Sequence, residues 1–375
     1  MPDPRPYLDL AARLAWRAAG DVEPNPLVGA VLAKDGQVIG AGHHQRFGQP
    51  HAEPLALEDA RRRGHDPRGA TLFVTLEPCA HHAKQPPCVD AILDAGIANV
   101  VCARQDPFEP AAGGATRLRG AGVGVDFTDA SDAATRLTDP FIKRVRTGLP
   151  WVIAKWAQTI DARVATRTGQ SKWISSAASR KRVHRLRGRV DAILTGIGTV
   201  TTDDPELTAR DVTRVRRVAR RVIVDPDLRI PVASRLVRTI ERAPITVICT
   251  PDAANADARH EERRRLEAEG VQILALEPGA DGRIDPGAIL RLLVRVYDAT
   301  NVLVEAGPRL IGAMHDESLI DELRVYIAPM LLGDAEALPP VSSRPKPHLL
   351  DGERFTLARI KRLGDDIEIR YRRPD

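Results

Sequence analysis

One histidine, one glutamate and two cysteines between residues 51 and 88 have the types and spacing of a catalytic zinc site. His51-Ala52-Glu53 is followed by Glu77-Pro78-Cys79 and, after eight more residues, by Cys88. One imidazole and two thiolates are three ligands for a tetrahedral Zn²⁺, and a fourth position left to water is typical of a catalytic site. The pattern predicts one Zn²⁺ per chain, bound by His51, Cys79 and Cys88, with Glu53 as the catalytic residue that moves the water's protons.

A closed structural zinc site is the alternative interpretation of the same residues. It needs a fourth protein ligand, which His81 or His82 in the loop between the cysteines could supply. Zinc-dependent nucleobase deaminases share the order His-x-Glu, Pro-Cys and a second cysteine, although two residues, not eight, usually separate their cysteines. In that chemistry a water attacks an amino-bearing ring carbon, the glutamate carries protons, and ammonia leaves.

The elements around these residues alternate between helices and strands. His51 opens a helix, Cys79 follows a buried strand, and Cys88 begins the next helix. Apolar periodicity predicts helices over residues 7–19, 89–95 and 131–146, and strands over residues 27–33, 38–41, 71–76, 99–103 and 123–127. Open α/β sheets place their sites where strands end and helices start. We therefore expect a three-layer α/β/α domain over residues 1–147.

A second α/β domain is predicted over residues 148–375, after the Gly148-Leu149-Pro150 boundary. Predicted strands cover residues 151–157, 191–195, 221–224, 245–250, 271–276, 301–305 and 323–328, with helices over 176–187, 258–269 and 286–297. This alternation predicts a mostly parallel sheet. Gly307 ends one strand and Pro308 stands where a helix would start, so free backbone N–H groups there could bind a cofactor phosphate.

Composition limits the classes of function open to the chain. Its 375 residues are 43% hydrophobic, enough for two domain cores, and four cysteines are too few for a disulfide framework. The net charge is +5, but only 4% of residues are aromatic, which disfavours a base-stacking nucleic-acid surface. No apolar run approaches the roughly 18–20 residues that span a bilayer. We expect a cytoplasmic homo-oligomer, dimer or tetramer, with a small-molecule substrate and neither nucleic acid nor membrane as partner.

The first half of the chain resembles a known family. The run TLEPCAHHAKQPPC at residues 75–88, with PNPLVG at 24–29 and HAE at 51–53, is similar to the deaminase half of the RibD family, the bifunctional deaminase/reductases of riboflavin biosynthesis. The long loop that ends in Pro-Pro-Cys distinguishes this family among cytidine-deaminase-like proteins. The resemblance implies that Asn25, His43 and Lys84 contact a pyrimidine substrate, with His44 as the other match for the histidine.

The second half resembles the reductase half of the same family, which has a dihydrofolate-reductase-like α/β fold. The similar runs are KWAQTID at 155–161, SKWIS at 171–175, HRLR at 184–187, GIGTV at 196–200 and DDPELTAR at 203–210. By this resemblance NADPH is the cofactor and is bound by Ala157, Trp173, Thr199, Asp203, Gly307, Pro308, Arg309, Leu310, Ile311, Gly312 and Ala313. The phosphoribosyl-pyrimidine substrate is bound by Ser171, Arg187, Leu207, Arg210 and Glu305.

The chain departs from the family pattern in both halves. Phe108 stands where the family usually has an asparagine that contacts the substrate, and Gly113-Gly114-Ala115 replaces a Gly-Lys-Gly. In the second half, Ala162 replaces a glycine after the retained Asp161, and Ala306 replaces the first glycine of Glu-Gly-Gly-Pro. These positions concern substrate choice and activity, whereas the zinc ligands are intact.

The resemblance implies a two-step enzyme. The first domain would hydrolytically deaminate 2,5-diamino-6-ribosylamino-4(3H)-pyrimidinone 5′-phosphate, and the second would use NADPH to reduce the ribosyl side chain to ribityl. The alternatives are a relative with an altered substrate, an RNA nucleoside deaminase with the same zinc site, and a non-catalytic sensor that binds zinc and NADPH. The RNA deaminase accounts for the positive charge but leaves the second domain unexplained.

Overall fold

A computed structural model describes residues 3–82 and 85–374 of the chain, which divides into two compact units, Met1–Gly148 and Leu149–Asp375. The sequence prediction put the boundary one residue earlier, between residues 147 and 148. Lys84, a predicted substrate contact, lies outside the described residues. Within the part of the chain that is described, no helix has both the length and the apolar character needed to cross a membrane.

The first unit is a five-stranded sheet covered by helices on both faces. Its elements are α1 (Arg5–Ala15), β1 (Gly29–Lys34), β2 (Gln37–His43), α2 (Ala52–Arg62), β3 (Thr71–Val74), α3 (Cys88–Asp94), β4 (Asn99–Cys102), α4 (Gly114–Gly120), β5 (Gly124–Phe127), α5 (Asp132–Thr135) and α6 (Asp139–Thr147). The strand order is β2-β1-β3-β4-β5. Strand β1 is antiparallel to β2 and β3, and β3, β4 and β5 are parallel.

Successive side chains of the central strands point to opposite faces of the sheet, where they pack into two separate hydrophobic cores. Leu72 and Val74 pack with the buried side chains of α2, α3 and α4, whereas Phe73 packs with α1 and α5 on the other face. The three-layer α/β/α prediction is therefore confirmed. The predicted helix over residues 131–146 is instead the two helices α5 and α6, because Pro140 lacks the N–H needed to continue a helix and sits in the first turn of α6.

Glycines in β2 set the distance between the sheet and α2, which begins at the zinc site. A Cβ added at Gly42 would lie 2.5 Å from the backbone nitrogen of Ala56, and one at Gly40 would lie 2.5 Å from the Ala56 carbonyl oxygen. Both contacts are with backbone atoms, which cannot move aside cheaply. Side chains at these positions would push α2, and with it His51 and Glu53, away from the sheet.

The second unit is a nine-stranded sheet in the order β10-β9-β8-β7-β11-β6-β12-β14-β13. Its elements are β6 (Trp151–Gln158), α7 (Ala177–Arg187), β7 (Ala192–Gly196), α8 (Ile197–Asp203), β8 (Arg220–Val224), α9 (Arg235–Arg238), β9 (Ile245–Cys249), α10 (Pro251–Asn255), α11 (His260–Ala268), β10 (Gln272–Ala275), α12 (Pro286–Tyr297), β11 (Asn301–Val304), α13 (Pro308–Asp316), β12 (Glu322–Ile327), β13 (Thr356–Leu363) and β14 (Asp366–Arg372).

Seven neighbouring strands from β10 to β12 are parallel, which confirms the mostly parallel sheet. The hairpin of β13 and β14 was not predicted, and it extends the sheet in antiparallel fashion from β12. Strand β11 lies between β7 and β6, so the chain reverses its direction across the sheet there. A crevice at such a switch point, at the carboxyl ends of the strands, is where open α/β sheets bind ligands.

Candidate active sites

The first unit brings the three predicted zinc ligands together. His51 is the N-cap of α2, Cys79 lies in the loop after β3, and Cys88 is the first residue of α3. The Nδ1 atom of His51 lies 3.3 Å from the Cys88 sulfur and 3.5 Å from the Cys79 sulfur. A tetrahedral zinc with ordinary bond lengths separates a nitrogen and a sulfur ligand by about 3.6 Å. The donor set therefore fits Zn²⁺.

A fourth protein ligand does not join this group within the described residues. All ligand atoms of His51, Cys79 and Cys88 lie within 4.8 Å of one another, and neither His81 nor His82 belongs to the group. The closed structural site is therefore not supported. Three protein ligands leave a coordination position for water, as in catalytic zinc sites.

Hydrogen bonds between the two cysteines favour one ionised sulfur, that of Cys79. The Cys88 thiol donates to Cys79, and this bond, with the neighbouring His51, lowers the pKa of Cys79 to about 4. The backbone N–H of Cys88 donates to the Cys79 sulfur at 3.4 Å. The bond to Cys79 raises the pKa of Cys88, so without metal the pair retains one proton. Zinc binds thiolates and so would displace that proton.

Glu53 lies beside the ligands without being one of them. It is in the first turn of α2 and only 3% exposed, and its Oε2 atom is buried with no hydrogen-bond partner. Burial raises the pKa of Glu53, and the neighbouring His51 opposes that rise only in part. A buried carboxylate with an unused acceptor and a raised pKa is suited to take up and release a proton.

Asn25 and a histidine stand next to this centre, and the histidine in contact is His44. Its Nε2 atom is 3.3 Å from Asn25 Nδ2, and its ring is 5.3 Å from the His51 ring. The Pro50 carbonyl oxygen lies 3.1 Å from His44 Nδ1, and burial lowers the pKa of His44. His43 ends β2 and pairs with Gly29. His44 is thus a histidine that contacts Asn25 and the His51 ring, whereas the predicted His43 stays a prediction.

Glu77 is a supporting residue to which sequence reasoning gave no role. Its two carboxylate oxygens accept the backbone N–H groups of Asp106 at 3.2 Å and Ala115 at 2.9 Å. A Cβ at Gly114 would lie 1.8 Å from the Pro78 carbonyl oxygen, so only glycine fits there. These contacts fix the segment that follows β4 against the Glu-Pro-Cys turn. An acid directly before Pro-Cys was the available signal.

Phe108, one of the departures, belongs to that segment. Its side chain is 40% exposed, and its ring centroid lies 6.5 Å from that of His81 in an edge-to-face arrangement. His81 is two residues from the ligand Cys79. An exposed aromatic ring therefore stands near the zinc ligands.

In the second unit, side chains of opposite charge lie close together at the carboxyl end of β11. Glu305, 9% exposed, accepts two hydrogen bonds from Arg187, at 2.6 and 3.0 Å, and one from Lys155 at 3.4 Å. Burial alone would raise the pKa of Glu305, but Arg187 and Lys155 outweigh it and lower the pKa to about 2. Two predicted substrate residues, Arg187 and Glu305, are thus paired directly.

Lys155 is a further site residue that sequence reasoning missed. It lies on β6, beside the position of Glu305, and burial lowers its pKa despite the nearby carboxylate. A lysine in a strand that otherwise buries apolar side chains was the available signal, since buried lysines are rare unless they are paired.

Three other predicted substrate residues lie on the neighbouring segments. Leu207 is buried, and Arg210 donates from Nη1 to Glu206 at 2.6 Å. Ser171 donates to the carboxylate of Asp203, a predicted cofactor residue, at 2.9 Å. The structure thus links a predicted substrate contact to a predicted cofactor contact.

Three of the predicted cofactor residues, Thr199, Gly307 and Pro308, lie close together at the switch point. Gly307 is the N-cap of α13, with Pro308 in the first turn and no side chain capping the helix. A Cβ at Gly307 would lie 4.0 Å from Thr199 Oγ1 in α8, so the helices that follow β7 and β11 begin close together. Uncapped N–H groups at a helix start bind phosphate well.

The other predicted cofactor residues differ in position and in exposure. Trp173 is 67% exposed, with the Arg180 guanidinium 4.5 Å from its ring centroid, and Ala157 is near the carboxyl end of β6. Ile311 and Gly312 are buried, and a Cβ at Gly312 would lie 1.9 Å from the Ser342 carbonyl oxygen. Those two residues pack α13 against the chain rather than line the turn. Arg309, Leu310 and Ala313 lie on the same helix.

Comparison with known proteins defines the class of both units. Residues 1–104 match the cytidine and deoxycytidylate deaminase zinc-binding region, and residues 150–369 match the RibD C-terminal domain. The chain is therefore a zinc-dependent deaminase joined to a reductase of the NADPH-dependent type, and an enzyme with two activities.

Relatives match over nearly the full length. The chain is 37% identical to riboflavin biosynthesis protein RibD of Aquifex aeolicus, with 98% of each covered, and 39% identical to RibD of Escherichia coli, with 96% of this chain and 97% of the relative covered. The solved RibD of Acinetobacter baumannii has a TM-score of 0.83 at 34% identity over 100% of this chain and 99% of that one. A Thermotoga maritima deaminase/reductase gives 0.83 at 32% identity, with 99% of each chain covered. The chain belongs to the RibD family of bifunctional riboflavin-biosynthesis deaminase/reductases.

Proposed function

We propose that the first unit deaminates 2,5-diamino-6-ribosylamino-4(3H)-pyrimidinone 5′-phosphate and that the second unit reduces the ribosyl group of the product to ribityl. The Thermotoga maritima relative is described as a diaminohydroxyphosphoribosylaminopyrimidine deaminase and 5-amino-6-(5-phosphoribosylamino)uracil reductase. The observation that carries the proposal is the His51, Cys79 and Cys88 cluster beside the buried Glu53, in one chain with a reductase. We place the deaminase within residues 1–147 and the reductase within residues 148–375.

In the deaminase, His51, Cys79 and Cys88 would hold zinc, which supplies the Lewis acidity that makes a water nucleophilic near neutral pH. Glu53 accepts the proton of the attacking water through its unpaired oxygen. It then delivers protons to the ring nitrogen and to the leaving amine, so that water and an amino group become a carbonyl and ammonia. Asn25 and His44 border the space for the pyrimidine, and Lys84 stays a predicted contact.

In the reductase, the uncapped backbone N–H groups at the starts of α8 and α13 would hold the phosphates of NADPH, which would supply the hydride. The phosphoribosyl substrate would be bound by five residues: Ser171, Arg187, Leu207, Arg210 and Glu305. The reduction consumes one hydride and one proton. Lys155 is placed to supply the proton, because its lowered pKa lets it release a proton more readily than an exposed lysine would.

The substitution Glu53→Gln tests whether Glu53 carries protons without binding zinc, and whether the two activities have separate sites. We expect it to lower deamination about 10²- to 10⁴-fold, because the carboxylate is the proton carrier. Bound zinc should stay near one per chain, measured by metal analysis, because Glu53 is not a ligand. The same variant should oxidise NADPH at the wild-type rate with the deaminated intermediate. Loss of zinc would show that Glu53 is a ligand, and loss of the reductase would show that the sites are shared.

We also propose a cytoplasmic location and a homo-oligomeric state. All four cysteines are free and buried, which suits a reducing compartment. Leu357 and Ile360, on the edge strand β13, are 51% and 60% exposed, which is typical of a surface that a second copy covers. Light scattering during size-exclusion chromatography should give the mass of two or four chains, and the mass of one chain would contradict the oligomer.

A further inference from the structure

A buried carboxylate in the second unit gathers three arginines. Glu206 is 2% exposed. Its Oε2 atom lies 2.6 Å from Arg210 Nη1 and 3.2 Å from Arg235 Nη2, and its Oε1 atom lies 3.2 Å from Arg242 Nη1. The Thr208 hydroxyl also donates to Oε1, at 2.5 Å. Four donors fill the roughly four acceptor positions of a carboxylate, so Glu206 has no capacity left for a ligand.

The arginines, in contrast, retain donors. Each reaches Glu206 through a single terminal nitrogen, and a guanidinium has five N–H groups. The side chains of Arg210, Arg235 and Arg242 are 35%, 49% and 56% exposed. Among the described residues, the side chains of these arginines form one further ion pair, between Arg242 and Glu241 at 3.4 Å, so three guanidiniums against two paired carboxylates leave one positive charge. Guanidiniums with unused donors and a charge excess are suited to bind phosphate.

The same segment connects this cluster to the proposed substrate site. Thr208 accepts from Arg187 Nη1 at 3.2 Å through its carbonyl oxygen, and Arg187 is paired with Glu305. The backbone N–H of Arg210 donates to His184 Nδ1 at 3.3 Å, one helical turn before Arg187. Thr208 therefore contacts both the Arg187–Glu305 pair, through its carbonyl oxygen, and the arginine cluster, through its bond to Glu206.

We propose that Glu206 is a positioning residue that holds Arg210, Arg235 and Arg242 together as a clamp for a phosphate monoester, the 5′-phosphate of the reductase substrate. This inference rests on the proposed reductase function. Without the carboxylate, three like charges would repel one another, and Arg210 would lose the bond that fixes its direction. The 2′-phosphate of NADPH has the same chemistry, but the hydrogen bonds to Arg187 and His184 connect the clamp to the substrate side.

The substitution Glu206→Gln keeps the side-chain volume and removes the charge. With the phosphorylated substrate we expect KM to rise about tenfold, because a charge-assisted bond is lost, with kcat changed less than about twofold. With the dephosphorylated substrate, KM should equal that of the wild type. Removing one exposed guanidinium by Arg242→Gln should raise KM for the phosphorylated substrate, and the Ki of inorganic phosphate, without disturbing the core. Arg238→Gln on α9 is the matched control, since Arg238 faces Asp204 at 3.9 Å instead of Glu206.

Three other outcomes would contradict the clamp. Equal losses with both substrates would show that Glu206 is merely structural, and unchanged kinetics in both variants would show that the cluster binds no phosphate. A rise in KM for NADPH but not for NADH would assign the cluster to the cofactor. If the wild type itself reduced neither substrate, the proposed function would fail. The clamp would then be tested by calorimetric binding of inorganic phosphate. Weaker binding by Arg242→Gln than by the wild type would support it, and equal binding would contradict it.

Discussion

The two units build their sites in opposite ways. The metal centre of the deaminase comes from residues 51 to 88 and consists of metal ligands and one acid at the starts of α2 and α3 and in the loop after β3. The proposed reductase site draws on residues from 155 to 313, with ion pairs and two helix starts among its elements. A metal site is confined to a few strong ligands, whereas a site for two large substrates must spread over many elements. Single substitutions should therefore abolish the first activity and only weaken the second.

The largest effect is expected at a zinc ligand. Cys88→Ala removes one of three ligands, so we expect metal content to fall below about one tenth per chain and deamination to fall to background. NADPH oxidation with the deaminated intermediate should persist, because no reductase residue is touched. Cys102→Ala is the control, since Cys102 is a buried core cysteine outside the metal group. A Cys88→Ala protein that retains zinc and activity would refute the ligand assignment.

An intermediate effect is expected at Lys155. Lys155→Gln should lower the reductase rate about 10²-fold, because the buried ammonium group donates the proton. The wild-type rate should fall as the pH rises through the lowered pKa of Lys155, and the variant should lack that decline. The pH profiles of kcat decide this, with Lys181→Gln on the exposed side of α7 as the control. A variant that keeps the wild-type profile would exclude Lys155 as the acid.

A smaller effect is expected at Phe108. Phe108→Asn should lower the deaminase KM by about two- to tenfold, because an amide can supply a hydrogen bond that the ring cannot. Phe127 is exposed to a similar extent, 41%, but lies on β5, so Phe127→Asn should leave the KM unchanged. An equal KM in wild type and Phe108→Asn would show that this position does not contact the substrate.

The smallest effect concerns acid stability. The pKa values of Glu206 and Glu305 are lowered from 4.5 to about 2, so their ion pairs contribute fully above pH 4.5. This contribution is lost as the pH falls from 4.5 to 2, because the carboxylates then protonate in the folded protein. Urea unfolding of the second unit, followed at pH 6 and pH 3, should show that the deficit of Glu206→Gln shrinks at the lower pH. If the loss of unfolding free energy in Glu206→Gln did not depend on pH, the charge of Glu206 would contribute nothing to stability.

Sequence reasoning reached the deaminase site because its ligands are close together in the chain and chemically distinctive. His51, Cys79 and Cys88 needed only spacing, and the structure brings them within bonding range of one ion. The choice between His43 and His44 depends on which side chain faces Asn25, and the spacing of adjacent residues at the end of a strand does not show that.

Apart from the Gly307–Pro308 turn, the reductase site was accessible only through the family resemblance. Glu305 and Arg187 are 118 positions apart, and no local spacing joins them. Lys155 and Glu206 were missed because their roles come from partners that tertiary packing supplies. The β13–β14 hairpin was also missed, although its strands alternate apolar and charged residues.

A coupled assay on the wild-type protein tests the central claim of two separate sites acting in sequence. Purified protein with zinc, NADPH and the diamino substrate is followed for ammonia and NADPH absorbance together. We expect one ammonia released and one NADPH oxidised per substrate, with ammonia release first and a lag before NADPH oxidation. NADPH oxidation that begins without prior ammonia release, or ammonia release with no NADPH oxidation at all, would contradict it.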